Sequence, residues 1–216
     1  MVRLGTRLAD VGTDHAYLPV WLARKDLISG AVASDVRPGP LARAEKNIKK
    51  YGVESIVEAR LSDGLDAVLP CEADDIVAAG MGGLLIAEII RRAAWLKSGE
   101  KHLILQPMTR EDDLRRSLAE QGFTVCKEQA VQEENHLYTV MLCVYDPAHC
   151  AQGELFPYIG GLTPETPENQ AYLCREAERL RKKANGLRLE GYCGDSERLF
   201  QIREQILALL PRKPEE

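Results

Sequence analysis

Apolar residues recur along the first 145 positions in two patterns that alternate with each other. Short apolar runs bounded by glycine or acidic residues predict strands buried on both faces, as in a parallel sheet. Longer segments with apolar residues three and four positions apart predict helices. The alternation predicts an α/β fold with a mostly parallel sheet. The predicted strands are Leu8–Val11, Gly30–Asp35, Ile56–Leu61, Asp75–Ala79 and His102–Gln106. The predicted helices are Tyr17–Ala23, Leu41–Tyr51, Leu84–Leu96 and Glu111–Gln121.

Two further strands follow these units and are predicted to pair with each other. Phe123–Val131 and Leu137–Tyr145 alternate in polarity around a short polar turn. The turn cannot hold a helical crossover, so the two strands must be antiparallel. This ending argues against a hydride-transfer dinucleotide domain, which would continue with parallel units.

The last third of the chain has a different pattern. A segment rich in glycine and proline leads into two helical stretches, Glu168–Glu190 and Asp195–Leu210. Leu173, Leu180 and Leu187 recur every seven residues, which is typical of helices that pack along their length. We therefore divide the chain into residues 1–147, an α/β domain, and residues 148–216, a linker with an antiparallel helical hairpin.

The loop after the first strand is the first candidate for binding chemistry. It carries Asp10, Gly12 and Asp14, where a dinucleotide motif G-x-G-x-x-G would place a second glycine at position 14. A carboxylate there repels a pyrophosphate but suits a cationic ligand. S-adenosylmethionine is a nucleoside without phosphate that carries a positive sulfonium, and it fits this loop better than NAD does. The alternative is an ordinary strand–helix turn with surface acids.

Three more loops at strand ends could contribute to the same site. Asp35 follows Gly12 at about the interval of a ribose-binding acid, the alternative being a helix-entry acid. Ser62-Asp63-Gly64 could contact an adenine amino group, although such a tripeptide alone is more often an ordinary turn. Gly80-Met81-Gly82-Gly83 is poor in side chains and would let a flat ring lie against the backbone, unless the glycines serve turn geometry alone.

Composition narrows the classes of protein and partner. The net charge is −5, so a nucleic-acid partner would need a local basic patch. The six cysteines are scattered without a C-x-x-C pair and the four histidines do not cluster, which indicates free cytoplasmic thiols and no metal site. We expect no membrane partner, because no apolar run reaches membrane-spanning length and no signal peptide precedes the first strand.

Two helix faces are strongly basic. The helix after Asp35 carries Arg43, Lys46, Lys49 and Lys50, which we interpret as a solvated face. The first helix of the hairpin is either a solvated coiled-coil surface or an arm that contacts phosphates. Its basic residues are Arg175, Arg179, Arg181, Lys182, Lys183 and Arg188.

Four motifs occur together and in order, and with them the chain resembles a known family. They are Leu8-Ala-Asp-Val-Gly-Thr-Asp-His-Ala-Tyr-Leu-Pro19, Ser62-Asp-Gly-Leu65, Ala79-Gly-Met-Gly-Gly83 and Leu103-Ile-Leu-Gln-Pro107. The chain resembles the bacterial tRNA (adenine-22-N1)-methyltransferases over nearly its whole length. The resemblance implies a Rossmann-like class I methyltransferase fold, with a seven-strand sheet ending in the antiparallel hairpin. It also implies S-adenosylmethionine as cofactor, S-adenosylhomocysteine as product and tRNA as partner.

The resemblance also implies roles for individual residues. Asp10, Gly12, Thr13 and Asp14 fall on the cofactor loop, and Asp35 falls on the ribose acid. Ser62, Asp63 and Gly64 fall on the adenine contact, and Gly80, Met81 and Gly82 fall where the methyl group meets the substrate base. Two features depart from the family. The helix that usually precedes the first strand is missing or shortened, and Met108 follows Pro107 where many relatives have asparagine.

The implied chemistry needs no strong base before methyl transfer. N1 of adenine carries a lone pair at neutral pH and the methylated ring is cationic, so catalysis should rest on positioning and electrostatic support. We hypothesise that Asp14 supports the developing charge and that His15 or Tyr17 holds the base.

Several alternatives stay open at this stage. They are a methyltransferase for another RNA, a small molecule or a protein, and a domain that binds S-adenosylmethionine without turnover. A nucleotide-dependent oxidoreductase is a further alternative, against which Asp14 is the main evidence. The sequence leaves the oligomeric state open, with a monomer favoured.

Overall fold

A twisted seven-stranded sheet forms the centre of the protein. The computed structural model describes residues 1–150 and 153–211. The strands, in chain order, are β1 Thr6–Val11, β2 Ile28–Asp35, β3 Val57–Leu61, β4 Asp75–Gly82, β5 His102–Thr109, β6 Phe123–Glu133 and β7 His136–Tyr145. Their order across the sheet is β3-β2-β1-β4-β5-β7-β6. The first five are parallel, whereas β7 pairs antiparallel with both β5 and β6. The predicted fold class is therefore confirmed.

Helices cover both faces of this sheet and extend beyond it. They are α1 Tyr17–Arg24, α2 Pro38–Lys50, α3 Gly83–Arg92, α4 Glu111–Gln121, α5 Phe156–Ile159, α6 Pro167–Leu189 and α7 Cys193–Leu209. Apolar residues of α1 and α2 form a core on one face, and those of α3 and α4 form a core on the other. This two-sided burial explains why β1, β2 and β4 are apolar without alternation.

One local prediction was wrong. The predicted helix Leu84–Leu96 ends at Arg92, and Ala94–Leu96 forms a separate 3-10 turn. Thr109 lies shortly before α4 but does not cap it, because β5 extends through it. Arg110 occupies the cap position in the left-handed region (φ 61°), with no side-chain hydrogen bond to the helix.

The helical hairpin α6–α7 packs against the edge of the sheet rather than standing free. Leu173 and Leu180 of the heptad pattern are fully buried, and Ile202 and Ile206 of α7 meet them. The same apolar cluster includes Ala130 of β6. The amide of Ala130 also donates to Asn169 Oδ1 at 2.9 Å, so the hairpin is hydrogen-bonded to the sheet as well as packed on it.

A buried ion pair joins α4, β6 and the hairpin. Arg115 is 1% exposed, and its Nη2 donates to Glu128 Oε1 at 2.6 Å and to the Tyr172 hydroxyl at 3.0 Å. Its Nη1 donates to the carbonyl oxygens of Pro157 and Tyr158, both at 3.0 Å. One guanidinium thus satisfies groups from three other segments, β6, α5 and α6, and its loss would leave the Glu128 carboxylate buried and unpaired.

Arg115→Ala should therefore destabilise the protein by about 3–5 kcal/mol, the usual cost of removing one partner of a buried pair. Urea unfolding followed by circular dichroism measures this change. The matched control is Arg116→Ala, since Arg116 is the neighbouring arginine on α4, is only half-buried and should change stability by less than about 1 kcal/mol. A loss below about 1 kcal/mol for Arg115→Ala would contradict the structural role of the pair.

Candidate functional site

A cavity opens where the carboxyl ends of β1, β2 and β4 meet. Its volume is about 320 Å³, within the range of small-molecule sites. In an open parallel sheet this position, beside the central strand, is the expected ligand crevice. The lining residues are Val11, Gly12, Asp35, Val36, Arg37, Ser62, Asp63, Gly64, Ala79, Gly80, Met81, Leu85 and Ile89.

Glycines keep the mouth of this cavity free of side chains. Gly12 has φ +76°, and a Cβ there would lie 2.7 Å from the methyl carbon of Met81. Gly64 has φ +60°, and a Cβ there would lie 2.8 Å from Ile89 Cγ1. Both positions combine a left-handed backbone with a close approach, which only glycine accommodates without strain. The cavity is therefore bounded by backbone on two sides.

Asp35 presents a fixed carboxylate at the end of β2. The residue is 6% exposed and lines the cavity. Its Oδ1 accepts a hydrogen bond from the Arg37 amide at 2.7 Å, and Arg37 Nε lies 3.5 Å from the same oxygen. The carboxylate is thus held in one orientation while facing the cavity, as a ribose-binding acid requires.

The Ser62–Gly64 turn shapes the wall of the cavity and offers few polar groups that are free to bind a ligand. Ser62 Oγ donates to the Gly64 carbonyl and accepts from the Ala67 amide, both at 3.0 Å. The Asp63 carboxylate accepts a 3.0 Å hydrogen bond from Arg92 but remains half exposed. Asp63 can therefore accept a further hydrogen bond, whereas the Ser62 hydroxyl is already used within the turn.

The glycine run at the end of β4 divides into two parts. Gly80 lines the cavity, and its amide donates to Gln106 Oε1 at 2.8 Å. Gly83 instead packs against the chain, because a Cβ there would lie 2.5 Å from the Arg110 carbonyl oxygen. Gly82 contacts Thr109 and does not line the cavity. Only the first half of the run therefore belongs to the site.

The rest of the loop after β1 turns away from the cavity. Thr13 is buried and its Oγ1 accepts from the Ala16 amide at 3.0 Å, which shapes the turn into α1. Asp14 forms an ion pair with Arg43 of α2, which lowers the pKa of Asp14. His15 Nε2 lies 3.1 Å from Asp14 Oδ2. These side chains are not among those that line the cavity.

Tyr17 is likewise placed outside the cavity. Its ring stacks on His15 with centroids 4.9 Å apart, and it lines a separate groove along α1. The three residues predicted to act on the substrate base, Asp14, His15 and Tyr17, thus contact one another at the start of α1. They form a group of their own beside the cavity loop.

Asp10 lies at the end of β1, directly before the loop. Burial raises the pKa of Asp10 to about 6, and a hydrogen bond from Thr13 offsets part of the effect. It does not line the cavity itself. Its raised pKa means that the folded protein holds this carboxylate at a cost, which a cationic ligand would reduce.

Some site residues were not predicted from the sequence. Val36 and Arg37 follow Asp35 directly, so their position could have been inferred, while Leu85 and Ile89 sit one turn apart on α3. Arg92, which holds Asp63, gives no signal in the sequence because 29 positions separate the pair.

Three further predictions concern the cysteines, metal sites and membrane-spanning helices. All six cysteines are free. In the part of the chain that the structure describes, no group of three or more His, Cys, Asp or Glu is placed to hold a metal ion. Within those same residues, no helix is both long and apolar enough to cross a membrane.

The basic face of α6 is partly neutralised by acids. Arg179 pairs with Glu176 at 2.8 Å, and Arg181 pairs with Glu178 at 2.7 Å. Arg175 reaches Glu111 of α4 at 3.5 Å. These contacts favour the solvated-surface interpretation over a phosphate-contacting arm for Arg175, Arg179 and Arg181.

Comparisons with known proteins agree with the geometry. A family model described as "Methyltransferase domain" matches residues 1–141. A tRNA (adenine(22)-N(1))-methyltransferase from Bacillus subtilis is 36% identical over 138 residues, which cover 64% of this chain and 58% of that protein. The chain thus aligns with little more than half the length of this curated relative.

Two solved structures share the fold over almost the whole chain. A candidate tRNA (m1A22) methyltransferase from Streptococcus pneumoniae, in complex with S-adenosyl-L-methionine, is 30% identical with a TM-score of 0.82, covering 95% of this chain and 94% of that one. Mycoplasma capricolum TrmK, in complex with S-adenosyl-homocysteine, is 25% identical with a TM-score of 0.80, covering 97% and 94%. The resemblance seen in the sequence is confirmed by these matches. This chain belongs to the methyltransferase domain family, and its relatives in that family include the tRNA (adenine(22)-N(1))-methyltransferase of B. subtilis.

Proposed function

We propose that the protein transfers a methyl group from S-adenosylmethionine to N1 of the adenosine at position 22 of bacterial tRNA. The observation that carries the proposal is the cavity at the carboxyl ends of β1, β2 and β4, with Asp35 fixed at its wall. The names of the relatives supply the substrate. S-adenosylhomocysteine is then the product.

The lining of the cavity fits this cofactor better than a dinucleotide. Asp35 and Asp63 both face the cavity, so two carboxylates border it. The Gly12 and Thr13 amides, which would cradle a phosphate in a dinucleotide site, both donate to the Ser34 carbonyl at 2.8 Å. Carboxylates with engaged amides favour a nucleoside that carries positive charge and no phosphate.

Individual roles follow from these positions. Asp35 would accept hydrogen bonds from the ribose hydroxyls, and Asp63 would accept one from the adenine amino group. Gly12, Gly64 and Gly80 would let the ligand lie against backbone, with Met81 beside it. Thr13, Ser62 and Gly82 would act indirectly, by shaping the turns that place these groups.

Bound S-adenosylmethionine supplies the methyl group as a reactive sulfonium. The protein has then to hold adenine N1 in line with that group and to support the cationic ring that forms. Asp14, His15 and Tyr17 are the candidates for this role, since they form one cluster at the end of the cavity loop. N1 lies on the Watson–Crick edge, so the base must leave its pair or stack before reacting.

The α/β domain and the C-terminal part of the chain would have different roles. Residues 1–147 would carry the cofactor and the chemistry, and residues 148–216 would supply the helical hairpin that packs on the edge of the sheet. We place the enzyme in the cytoplasm, supported by the six free thiols and by a tRNA substrate.

A methyltransferase for another RNA, a small molecule or a protein is the second candidate function. It is favoured by the same cavity, which identifies the methyl donor more directly than the acceptor. A module that binds the cofactor without turnover is a further alternative, and the assay below separates the proposed function from both of these.

We expect the purified protein to transfer labelled methyl from S-adenosylmethionine to unmodified tRNA transcripts with adenosine at position 22. Matched transcripts with guanosine there should stay unlabelled, because guanine N1 carries a proton at neutral pH and has no free lone pair. Equal labelling of both sets would reject position 22 as the target. Cofactor binding without label in either set would favour another substrate or a binding module.

The raised pKa of Asp10 predicts opposite effects on stability and binding. Because the folded-state value, about 6, exceeds the ordinary 3.8, the stability contribution of this residue is complete below about pH 4 and lost as pH rises through 6. Asp10→Asn should therefore raise the free energy of unfolding at pH 7.5 by about 1–3 kcal/mol. It should also weaken S-adenosylmethionine binding about tenfold, because it removes a negative charge from behind the site of a positively charged ligand.

Calorimetric titration between pH 5 and 8, with parallel urea unfolding, tests both effects. Wild-type binding should strengthen as pH rises through about 6, and the variant should lose that dependence. A variant that is both less stable and unchanged in its pH profile would contradict the role given to Asp10.

A further inference from the structure

A second groove on the surface, separate from the cofactor cavity, runs along α1. Its volume is about 420 Å³. It is lined by Tyr17, Leu18, Val20, Trp21, Arg24 and Tyr51. Three of these residues are aromatic and remain exposed: Tyr17 at 64%, Trp21 at 56% and Tyr51 at 38%. A soluble surface rarely leaves adjacent aromatic rings open to water unless they bind something.

Positive charge surrounds these rings although the protein as a whole is acidic. The guanidinium of Arg24 and the ammonium of Lys50 each lie 5.1 Å from the centroid of the Tyr51 ring. Residues 17–51 contain seven lysines and arginines but only three aspartates and glutamates. In the whole chain the acidic residues outnumber the basic ones, 33 to 28. Aromatic rings interleaved with cations are typical of single-stranded nucleic-acid surfaces.

The groove also contacts the loop that follows β1. Tyr17, which lines the groove, stacks on His15 of that loop. The backbone carbonyl of His15 accepts a hydrogen bond from Asn47 Nδ2 of α2 at 2.9 Å. Arg43 of the same helix pairs with Asp14. An RNA strand in the groove would therefore run directly towards the residues beside the methyl-transfer site.

We propose that this groove binds an unpaired stretch of the RNA substrate, with a base stacked on Trp21 and backbone phosphates near Arg24 and Lys50. The proposal rests on the proposed function for the identity of the RNA. Stacking provides affinity without sequence preference, and the cations provide attraction that depends on salt. The basic face of α2 then acts in binding, and is more than a solvated helix surface.

Trp21→Ala should raise the KM for tRNA about tenfold with a small change in kcat, as expected for the loss of one stacked base. The affinity for S-adenosylhomocysteine should stay unchanged, because Trp21 does not line the cofactor cavity. Trp21→Phe should retain most of the affinity, whereas Trp21→Leu should not. The matched control is Leu69→Ala, which removes a side chain of similar exposure (59%) outside the groove.

Lys50→Gln tests the cationic part separately. It should reduce the slope of log K against log salt concentration by about 0.7, the value for one single-strand phosphate contact. The side chain is exposed, so the variant should fold normally.

Fluorescence gives a readout that does not depend on activity. The chain has two tryptophans, and Trp95→Phe leaves Trp21 as the single reporter. Titration with a short single-stranded RNA at low salt should quench this emission if a base stacks on the ring. Quenching without methyl transfer to any tRNA would reject the proposed function and keep the groove as an RNA site.

Two results would overturn the proposal. One is an unchanged KM for tRNA and an unquenched Trp21 in an enzyme that methylates tRNA. The other is a wild-type protein that sediments as a dimer and becomes monomeric in Trp21→Ala, which would identify the groove as a contact between two copies of the chain.

Discussion

The order of the parallel strands is the constraint on which the site depends. β1 lies between β2 and β4, so three strand ends that are far apart in the sequence meet at one edge. The helices after β1 and β2 pack on one face, and those after β4 and β5 pack on the other, which leaves a crevice between β1 and β4. Each group that borders the cavity lies at or just after the end of β1, β2, β3 or β4, or on the helix that follows β4. The buried Arg115–Glu128 pair has a comparable role at the opposite edge, where it fastens the helical hairpin to the sheet.

The charge of the crevice then selects the ligand. A dinucleotide site depends on free amides at a helix N-terminus, but here the Gly12 and Thr13 amides are bonded to the Ser34 carbonyl. Carboxylates border the space instead, and Asp10 behind them is held at a pKa of about 6. A cation is the natural complement of such a site, because it recovers the free energy that the folded protein loses by burying the Asp10 carboxylate. A sulfonium-bearing nucleoside has that charge together with the ribose and the base that the remaining groups can bind.

The sequence predicted the strands, their buried character and the antiparallel ending, because these follow from local periodicity. It also predicted that Asp35, Asp63, Gly12 and Gly80 lie at strand ends, a position that sequence order alone identifies, and all four line the cavity. It could not distinguish residues that line the cavity from residues that shape its turns. Thr13 and Ser62 look like ligand-binding hydroxyls in the sequence, but their oxygens are used by Ala16 and by Gly64 and Ala67. The pairing of Asp14 with Arg43, 29 positions away, depends on how α2 packs beside the loop, and no local pattern indicates it.

Calorimetry with S-adenosylmethionine and NAD tests most directly whether the carboxylates of the cavity select a cationic nucleoside. S-adenosylmethionine, which carries the positive sulfonium, should bind the wild-type protein with one site per chain, and NAD should give no measurable heat. Asp35→Ala should weaken S-adenosylmethionine binding about 10- to 100-fold, as expected for the loss of a charged acceptor that holds the ribose. Tight binding of NAD, or an affinity for S-adenosylmethionine that is unchanged in Asp35→Ala, would contradict a cavity that selects its ligand by charge.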